Sequence, residues 1–507
     1  VGTKFRIARN ILANWGGLAF STLISFLLAP YILHKLGDAG YGVWMLTISL
    51  TGYLGLLDLG IRSSVVRFVA KYKASSDYAS LNQVVNTALV AFSLAGLLSL
   101  LLGSILGVAA DSVFNIPHSL ENQATWVIII ISATLAFSFG TSVFASTLVG
   151  IERFDLLNLA TILATLLRAG LILLVFPVKA NLVCLGVLTL VSSLVSCVLI
   201  VYFALRHIPE LKINLRLSQS RTLKRIFDYG IFSFLIIVAT RVSYYSDNTV
   251  IGIFGSAEQI TYFAIGAISV EMLRRVVNSL TSVIMPLASG LESRGSQESL
   301  QRLLTIGTKY SFLLILPMST ILLVMGKTLL GVWMGPAYAA RSYLILVVLL
   351  VPQIYSLSQF TTEEVLLGTG RHKLYSFVVV AEAISNLTLS IILIKPYGIL
   401  GVALGTSLPI ILFRVLLSPI FVVRIRGTSF LRYLKESLLL PLAISIPVGI
   451  VAIGLELFLR AESLLEFSLQ AILLLLIYYL LAWMLVVEEP VKQSVLDRIR
   501  NLTGLEL

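Results

Sequence analysis

Apolar residues run along this chain in long unbroken stretches separated by short polar ones. About fourteen such runs are present, at 11–33, 42–68, 84–110, 125–149, 156–176, 182–205, 230–254, 260–288, 310–334, 342–367, 374–394, 398–423, 437–459 and 467–487. Each is long enough to cross a hydrocarbon layer of roughly 30 Å as a helix. No segment alternates apolar and polar positions over the ten or so residues of a barrel strand. The pattern predicts an all-α polytopic membrane protein of about fourteen transmembrane helices.

Basic residues divide between the two sides of these spans. One set of alternate connections comprises the N-terminus, Lys71 and Lys73, Arg153, 206–225, 294–309, Arg371 and Lys373, 424–435 and the C-terminal stretch; it holds roughly 24 Lys and Arg. The other set, Lys35, Lys179, Lys327, Arg341, Lys395 and Arg460, holds roughly 6. The positive-inside rule places both termini in the cytoplasm, which requires an even number of spans. Lys4, Arg6 and Arg9 lead directly into the first span, so no cleavable signal is expected.

Glycine turns repeat at a fixed distance. Leu36-Gly37-Asp38-Ala39 follows the first run and Phe254-Gly255-Ser256-Ala257 the seventh, while Gly150-Ile-Glu-Arg153 follows the fourth and Gly368-Thr-Gly-Arg371 the tenth. Both pairs lie 218 residues apart. The offset predicts two pseudosymmetric six-helix lobes, 1–206 and 230–423, joined by a basic cytoplasmic linker at 207–229. A second basic linker at 424–436 leads to two extra helices at 437–487 and a tail at 488–507. The tail's apolar spacing from Pro490 fits a short helix on the inner leaflet or a solvated segment. A parallel repeat of this kind puts a substrate path between the lobes.

Composition removes other classes. With 58% hydrophobic and 12% charged residues, against roughly 45–50% and 25% for soluble domains, a soluble globular chain is excluded. The net charge of +12 sits in short loops suited to anionic lipid, so no nucleic-acid partner is expected. Cys184 and Cys197 share one apolar run, and His34, His118, His207 and His372 lack ligand spacing; neither metal nor cofactor is expected. There is no Gly-x-x-x-x-Gly-Lys-Ser/Thr for direct ATP hydrolysis.

Several short motifs carry a resemblance. Arg-Asn-Ile-Leu-Ala-Asn-Trp begins at Arg9, Leu-Gly-Asp-Ala-Gly-Tyr-Gly-Val-Trp spans 36–44, and Leu-Asp-Leu-Gly-Ile spans 57–61. Gly-Ile-Glu-Arg-Phe lies at 150–154, Leu-Leu-Gly-Thr-Gly-Arg-His at 366–372 and Tyr-Gly-Ile-Leu-Gly-Val-Ala-Leu-Gly-Thr at 397–406. Over essentially its whole length the chain is similar to the polysaccharide transporters, the Wzx-type flippases of the multidrug/oligosaccharidyl-lipid/polysaccharide (MOP) exporter superfamily. The resemblance implies two six-helix bundles in a MATE-like V shape and a cavity that opens alternately to either side. It implies a cargo of undecaprenyl-diphosphate-linked oligosaccharide (an O-antigen, capsule or exopolysaccharide repeat unit) and a bacterial or archaeal cytoplasmic membrane. Polymerase and glycosyltransferases of the same pathway are the implied partners. It supplies no catalytic motif, and no enzyme activity is expected.

Candidate site residues come from charge and depth. Arg241 lies about 16 Å into its span, Arg168 about 18 Å, and Arg274 and Arg275 about 20 Å. An arginine near the bilayer centre costs about 2.5–3.5 kcal/mol on insertion scales, so it faces a wet cavity or a carboxylate. A diphosphate head group suits arginine's fork of donors. Arg241, Arg274, Arg275, Arg168 and Arg62 are therefore head-group candidates, with Tyr244 and Tyr245 beside Arg241 and Tyr262 for sugar stacking. Against this, Asp58 with Arg62 and Glu271 with Arg275 are spaced for pairing along a helix. Adjacent Arg274 and Arg275 point about 100° apart, so only one is expected to share that carboxylate. Arg414 is close enough to a span end to snorkel. A coupling proton or sodium ion would use Glu382 and Asn386, which share a face, or Glu271 or Asp58; Asp247 is a further intramembrane carboxylate. Trp44, Trp126, Trp333 and Trp483 are expected as interfacial anchors.

Three other functions compete with the flippase. One is ion-coupled export of small molecules or drugs on the same fold, and another is transport of a lipid-linked peptidoglycan precursor. The third, an integral membrane glycosyltransferase or ligase, is disfavoured by outer connections of at most about fifteen residues.

Overall fold

In the computed structural model the chain is helical almost throughout, and residues 2–227, 231–427, 429–489 and 492–493 are described. Most of the expected tail helix and part of the 207–229 linker lie outside them. No strand occurs among the described residues.

Two compact units emerge. The first, Val1–Ala264 with Val379–Val402, carries α1 (Gly2–Leu54), α2 (Ile61–Ala74), α3 (Tyr78–Val113), α4 (Glu121–Gly150), α5 (Phe154–Val175), α6 (Leu182–His207), α7 (Ser220–Phe227), α8 (Ile231–Phe254) and the first turns of α9 (Ala257–Thr281). The second, Ile265–Val378 with Ala403–Leu507, carries the rest of α9, then α10 (Ile284–Ser293), α11 (Gln297–Trp333), α12 (Pro336–Ser358) and α13 (Phe360–Gly368). The chain continues through α14 (Lys373–Pro409), of which 379–402 belongs to the first unit, a π-helical turn at Ile410–Leu416, α15 (Ser418–Arg426), α16 (Phe430–Ser437), α17 (Leu439–Phe458) and α18 (Leu464–Leu485).

Among the described residues ten helical stretches are long and apolar enough to cross a membrane. Two of them break, at Gly37 and Gly398, while α8 and α9, of 24 and 25 residues, are not among the ten. The protein is an all-α, multi-span membrane protein.

Backbone conformation corrects the expected spans. Run 42–68 is not one helix: a 3-10 turn at Gly55–Asp58 is followed by left-handed Leu59 (φ 48°) and Gly60 (φ 75°) before α2 begins. Run 260–288 breaks between α9 and α10, and run 342–367 between α12 and α13. Hydropathy averaged over a window registers none of these interruptions, because single polar residues such as Asp58, Ser282 and Gln359 are outweighed by apolar neighbours. Gly37 adopts φ 72°, ψ 173°, a region that is essentially glycine's alone, and this ends the first span. Trp44 and Trp333 are 6% and 4% exposed and pack inside their own units rather than anchoring at an interface, whereas Trp126 is 54% exposed. Hydropathy placed these tryptophans along the chain but not around the helix.

At the 218-residue offset two turns share the same backbone hydrogen bond. Arg153 N–H donates to Leu148 O at 2.9 Å, and 218 residues on Arg371 N–H donates to Leu366 O at 2.9 Å. Left-handed Glu152 (φ 60°) corresponds to Gly370 (φ 69°). A Cβ on Gly150 would press on Val69 and the Val66 carbonyl, and one on Gly368 would press on Ala288 and the Met285 carbonyl. A further turn repeats at an offset of 219: Asp77 N–H donates to Tyr72 O (2.9 Å) after Ser76 (φ 55°), and Ser296 N–H to Leu291 O (3.2 Å) after Gly295 (φ 67°). Asp77 then caps α3 by accepting Ser80 N–H at 3.0 Å; Ser80's hydrogen bonds hold the Asp77 carboxyl below the ordinary carboxylate range.

After α6 the chain is strapped to α3 by two buried asparagines one turn apart. Asn82 donates to Glu210 O (2.9 Å) and accepts Lys212 N–H (2.6 Å). Asn86 donates to Lys212 O (2.7 Å) and accepts Asn214 N–H (2.8 Å). Each side-chain amide substitutes for a peptide group, reading every second residue as a neighbouring strand would. Removing Asn86 strands two backbone groups, at about 1–3 kcal/mol if they stay buried. Asn86→Ala is expected to expose 208–219 to limited proteolysis while Asn86→Gln, with a longer arm, restores little; unchanged cleavage in Asn86→Ala would contradict the strap.

Candidate functional site

The first unit gathers polar side chains from α1, α8 and α14. On α8, Arg241 Nη1 donates to Tyr245 OH at 3.0 Å, with the guanidinium 5.8 Å from the Tyr245 ring centroid. Tyr244 meets Tyr245 edge-on at 4.8 Å, and Tyr53 of α1 meets it at 5.6 Å. The Tyr245 ring lies across Gly52, where any Cβ would run into it. Below this group Asn248 Nδ2 donates to Ser49 Oγ (2.9 Å) and Thr249 Oγ1 to Tyr53 OH (3.4 Å). Asn248 Oδ1 is buried with no partner among the described residues. Arg241 and Tyr244 are exposed, and Arg241 makes no ion pair with a described carboxylate. The geometry thus joins an exposed cation to an aromatic wall and an unfilled acceptor.

A second wall is acidic and buried. Ser246 Oγ donates to Asn386 Oδ1 of α14 at 2.9 Å. Asn386 is 2% exposed, Glu382 6% and Asp247 9%. The sequence put Glu382 and Asn386 on one face of α14, and Asn386 of that face meets Ser246 of α8.

The remaining arginines are differently placed. Arg62 Nε pairs with Asp58 Oδ2 at 3.2 Å, and its Nη2 donates to Ser142 Oγ at 2.9 Å. Asp58 Oδ1 also accepts the Arg62 backbone N–H (3.3 Å), so the carboxylate closes the start of α2 as well as pairing with the side chain. Arg168 Nε is buried with no hydrogen-bond partner among the described residues, with Tyr41 as an electrostatic neighbour. In the second unit Glu271 holds both arginines, Arg275 Nε at 3.3 Å through Oε1 and Arg274 Nε at 3.7 Å through Oε2. The expectation that only one could share the carboxylate is thereby corrected. Residues three and four ahead flank the partner at about −60° and +40°, and a carboxylate has two oxygens to offer. Arg414 does not snorkel: its side chain is 14% exposed and reaches Glu363 at 4.0 Å. Tyr262 is committed elsewhere, its OH donating to Asp38 Oδ2 at 2.5 Å while Thr261 Oγ1 donates to Asp38 O at 2.6 Å.

Sequence reasoning named Arg241, Tyr244, Tyr245, Glu382 and Asn386 but missed Ser49, Gly52, Tyr53, Ser246 and Asn248. Their signal was present as hydroxyls and a glycine one turn apart inside apolar runs, a spacing that reads equally well as ordinary small-residue helix packing.

A family model described as polysaccharide biosynthesis protein matches residues 7–292. The chain is 25% identical over 414 residues to a putative O-antigen transporter of Shigella flexneri, covering 81% of this chain and 96% of that one. Its fold is similar to that of the lipid II flippase MurJ in an inward closed conformation, with TM-score 0.72 at 14% identity over 94% of this chain and 98% of that one. It is also similar to an inward-facing multidrug resistance MATE family transporter of the MOP superfamily, with TM-score 0.69 at 15% identity over 81% and 96%. These likenesses show the fold.

Gly52→Ala is expected to lower the thermal midpoint by overpacking Tyr245, at about 1–3 kcal/mol. Gly52→Ala combined with Tyr245→Ala should cost less than the sum of the two single changes; strict additivity would refute the contact.

Proposed function

The chain belongs to the polysaccharide biosynthesis protein family, and from that premise we propose that it is a flippase for undecaprenyl-diphosphate-linked oligosaccharide rather than an enzyme that makes or breaks glycosidic bonds. The observation carrying this reading is Arg241. Arg62, Arg274 and Arg275 are neutralised by carboxylates of their own helices or turns, whereas Arg241 is exposed and held only by a tyrosine hydroxyl. One bond to Tyr245 leaves the rest of its fork for phosphate oxygens. Tyr244, Tyr245 and Tyr53 offer ring faces for sugar, and Asn248 Oδ1 can accept a sugar hydroxyl. Among the five candidate arginines, Arg168 is the second not neutralised by a described carboxylate. Cationic drugs fit such a lining poorly.

Transport would proceed by alternating access, with both termini in the cytoplasm of a bacterial or archaeal cell. Because moving a diphosphate across hydrocarbon is costly, the arginines substitute for water during the crossing. A coupling proton or sodium ion is assigned to Glu382 and Asn386, buried side chains that share a face of α14 inside an apolar run. Polymerase and glycosyltransferases of the pathway would act before and after it.

Arg241→Gln should cut surface polysaccharide roughly ten- to hundredfold at unchanged membrane level, as loss of a charge-assisted contact implies. Arg275→Gln should do much less; normal polysaccharide in Arg241→Gln would remove it from the site. In vesicles, Glu382→Gln should make head-group reorientation indifferent to the ion gradient, whereas retained gradient dependence would exclude Glu382 as the coupling group.

A further inference from the structure

A groove of about 400 Å³ opens in the second unit between α10, the turn after it and the first turns of α11. Its lining combines apolar Pro286, Leu287, Leu291 and Leu303 with Arg294, Ser299 and Arg302. Arg294 lies seven residues beyond Leu287, so charge and apolar floor are separated by about 10 Å along the helix. That is the spacing between a lipid's phosphate and its upper acyl chain.

Depth supports the same occupant. α11 has 37 residues and is about 55 Å long, well beyond a hydrocarbon core of roughly 30 Å. Its apolar run begins near residue 310, which sets Arg302 in the interfacial zone. Leu287 is 55% exposed and Met285 43%, so the outer face of α10 is apolar and uncovered by this chain.

The groove's charge is only partly compensated among the described residues. Glu292, the carboxylate nearest in sequence to Arg294, is taken by Arg371 at 2.8 Å. Arg294 is exposed and makes no ion pair among the described residues. Arg302 has only a long contact, 3.9 Å, to Glu488, which it shares with Lys309 at 3.9 Å. Ser299 Oγ accepts from Ser296 Oγ at 2.7 Å, leaving its own proton to donate.

We infer that this groove binds an anionic phospholipid of the surrounding leaflet, with its phosphate between Arg294 and Arg302 and an acyl chain along Leu287 and Leu291. Glu488 is then a displaceable counter-ion: the lipid phosphate replaces a half-exposed carboxylate at Arg302. The site is separate from the residues assigned to transport.

Native mass spectrometry of the full chain in mild detergent tests this with dioleoylphosphatidylglycerol and dioleoylphosphatidylcholine as probes. The expected result is about tenfold preferential retention of phosphatidylglycerol, as one to two charge-assisted contacts imply. Arg294→Gln with Arg302→Gln should abolish that preference without moving the lipid-free thermal midpoint, since both side chains are exposed. Leu287→Asp, which keeps both arginines, should weaken retention, and Glu488→Gln should strengthen it. Equal retention of the two lipids, or an undiminished preference in the double variant, would overturn the inference. So would displacement of phosphatidylglycerol by equimolar undecaprenyl phosphate, which would assign the groove to the carrier lipid instead.

Discussion

Backbone groups freed inside a membrane have no water to turn to, so each interruption of a helix must be closed by a nearby side chain or by the chain itself. That constraint organises this protein more than any single hydrophobic contact. At the α1–α2 break the Asp58 carboxylate accepts the Arg62 N–H. At the start of α9, Ser256 and Gln259 exchange side-chain and backbone bonds in a capping box, Ser256 N–H to Gln259 Oε1 at 3.2 Å and Gln259 N–H to Ser256 Oγ at 3.4 Å. Asn115 closes the other side of that turn by donating to the Ile253 and Gly255 carbonyls, each at 2.9 Å. Outside the spans, Asn82 and Asn86 do the same for the extended segment after α6.

Charge follows a parallel rule. A guanidinium at membrane depth is stable when a carboxylate, a hydroxyl or water takes its place in the hydration shell. Three of the candidate arginines have a carboxylate within one helical turn, and those pairs are structural: Asp58 with Arg62 stabilises a break, and Glu271 holds two cations on one helix. Among the candidate head-group arginines Arg241 differs in that its described partner, Tyr245, is neutral. A neutral partner fixes direction without cancelling charge, which is what a reversible anion site requires.

The sequence made the matched turns legible because close packing restricts residue choice at Gly150 and Gly368, and because Gly37 and Gly370 take positive φ. It did not reveal that Glu152 and Ser76 adopt the same left-handed conformation at equivalent turns without being glycine. Helix breaks at 55–60 and 282–283 were invisible to hydropathy, since Leu57, Leu59 and Val283 are apolar. The candidate site was half legible. Ionisable residues in apolar runs announce themselves, whereas Ser49 and Asn248, which lie 199 residues apart, become partners only through the fold. The Glu271 pairing was misjudged because helical direction was applied to Cα positions, while long arginine side chains converge on one carboxylate.

The repeated turns show how one frame supports unlike chemistry. Arg153 and Arg371 occupy equivalent positions with equivalent backbone bonds, yet Arg153 pairs with Asp155 two residues away and Arg371 with Glu292 on another helix. The frame depends on main-chain geometry, so it tolerates divergence in the side chains it carries. By the same argument, the break preceding α2 carries an ion pair and the break preceding α10 carries none, its nearest charges lying two turns earlier at Arg274 and Arg275. Function in such a chain is therefore expected where the repeats differ. The tyrosine-held Arg241 meets that criterion, because its counterpart 218 residues earlier is an apolar position, Leu23.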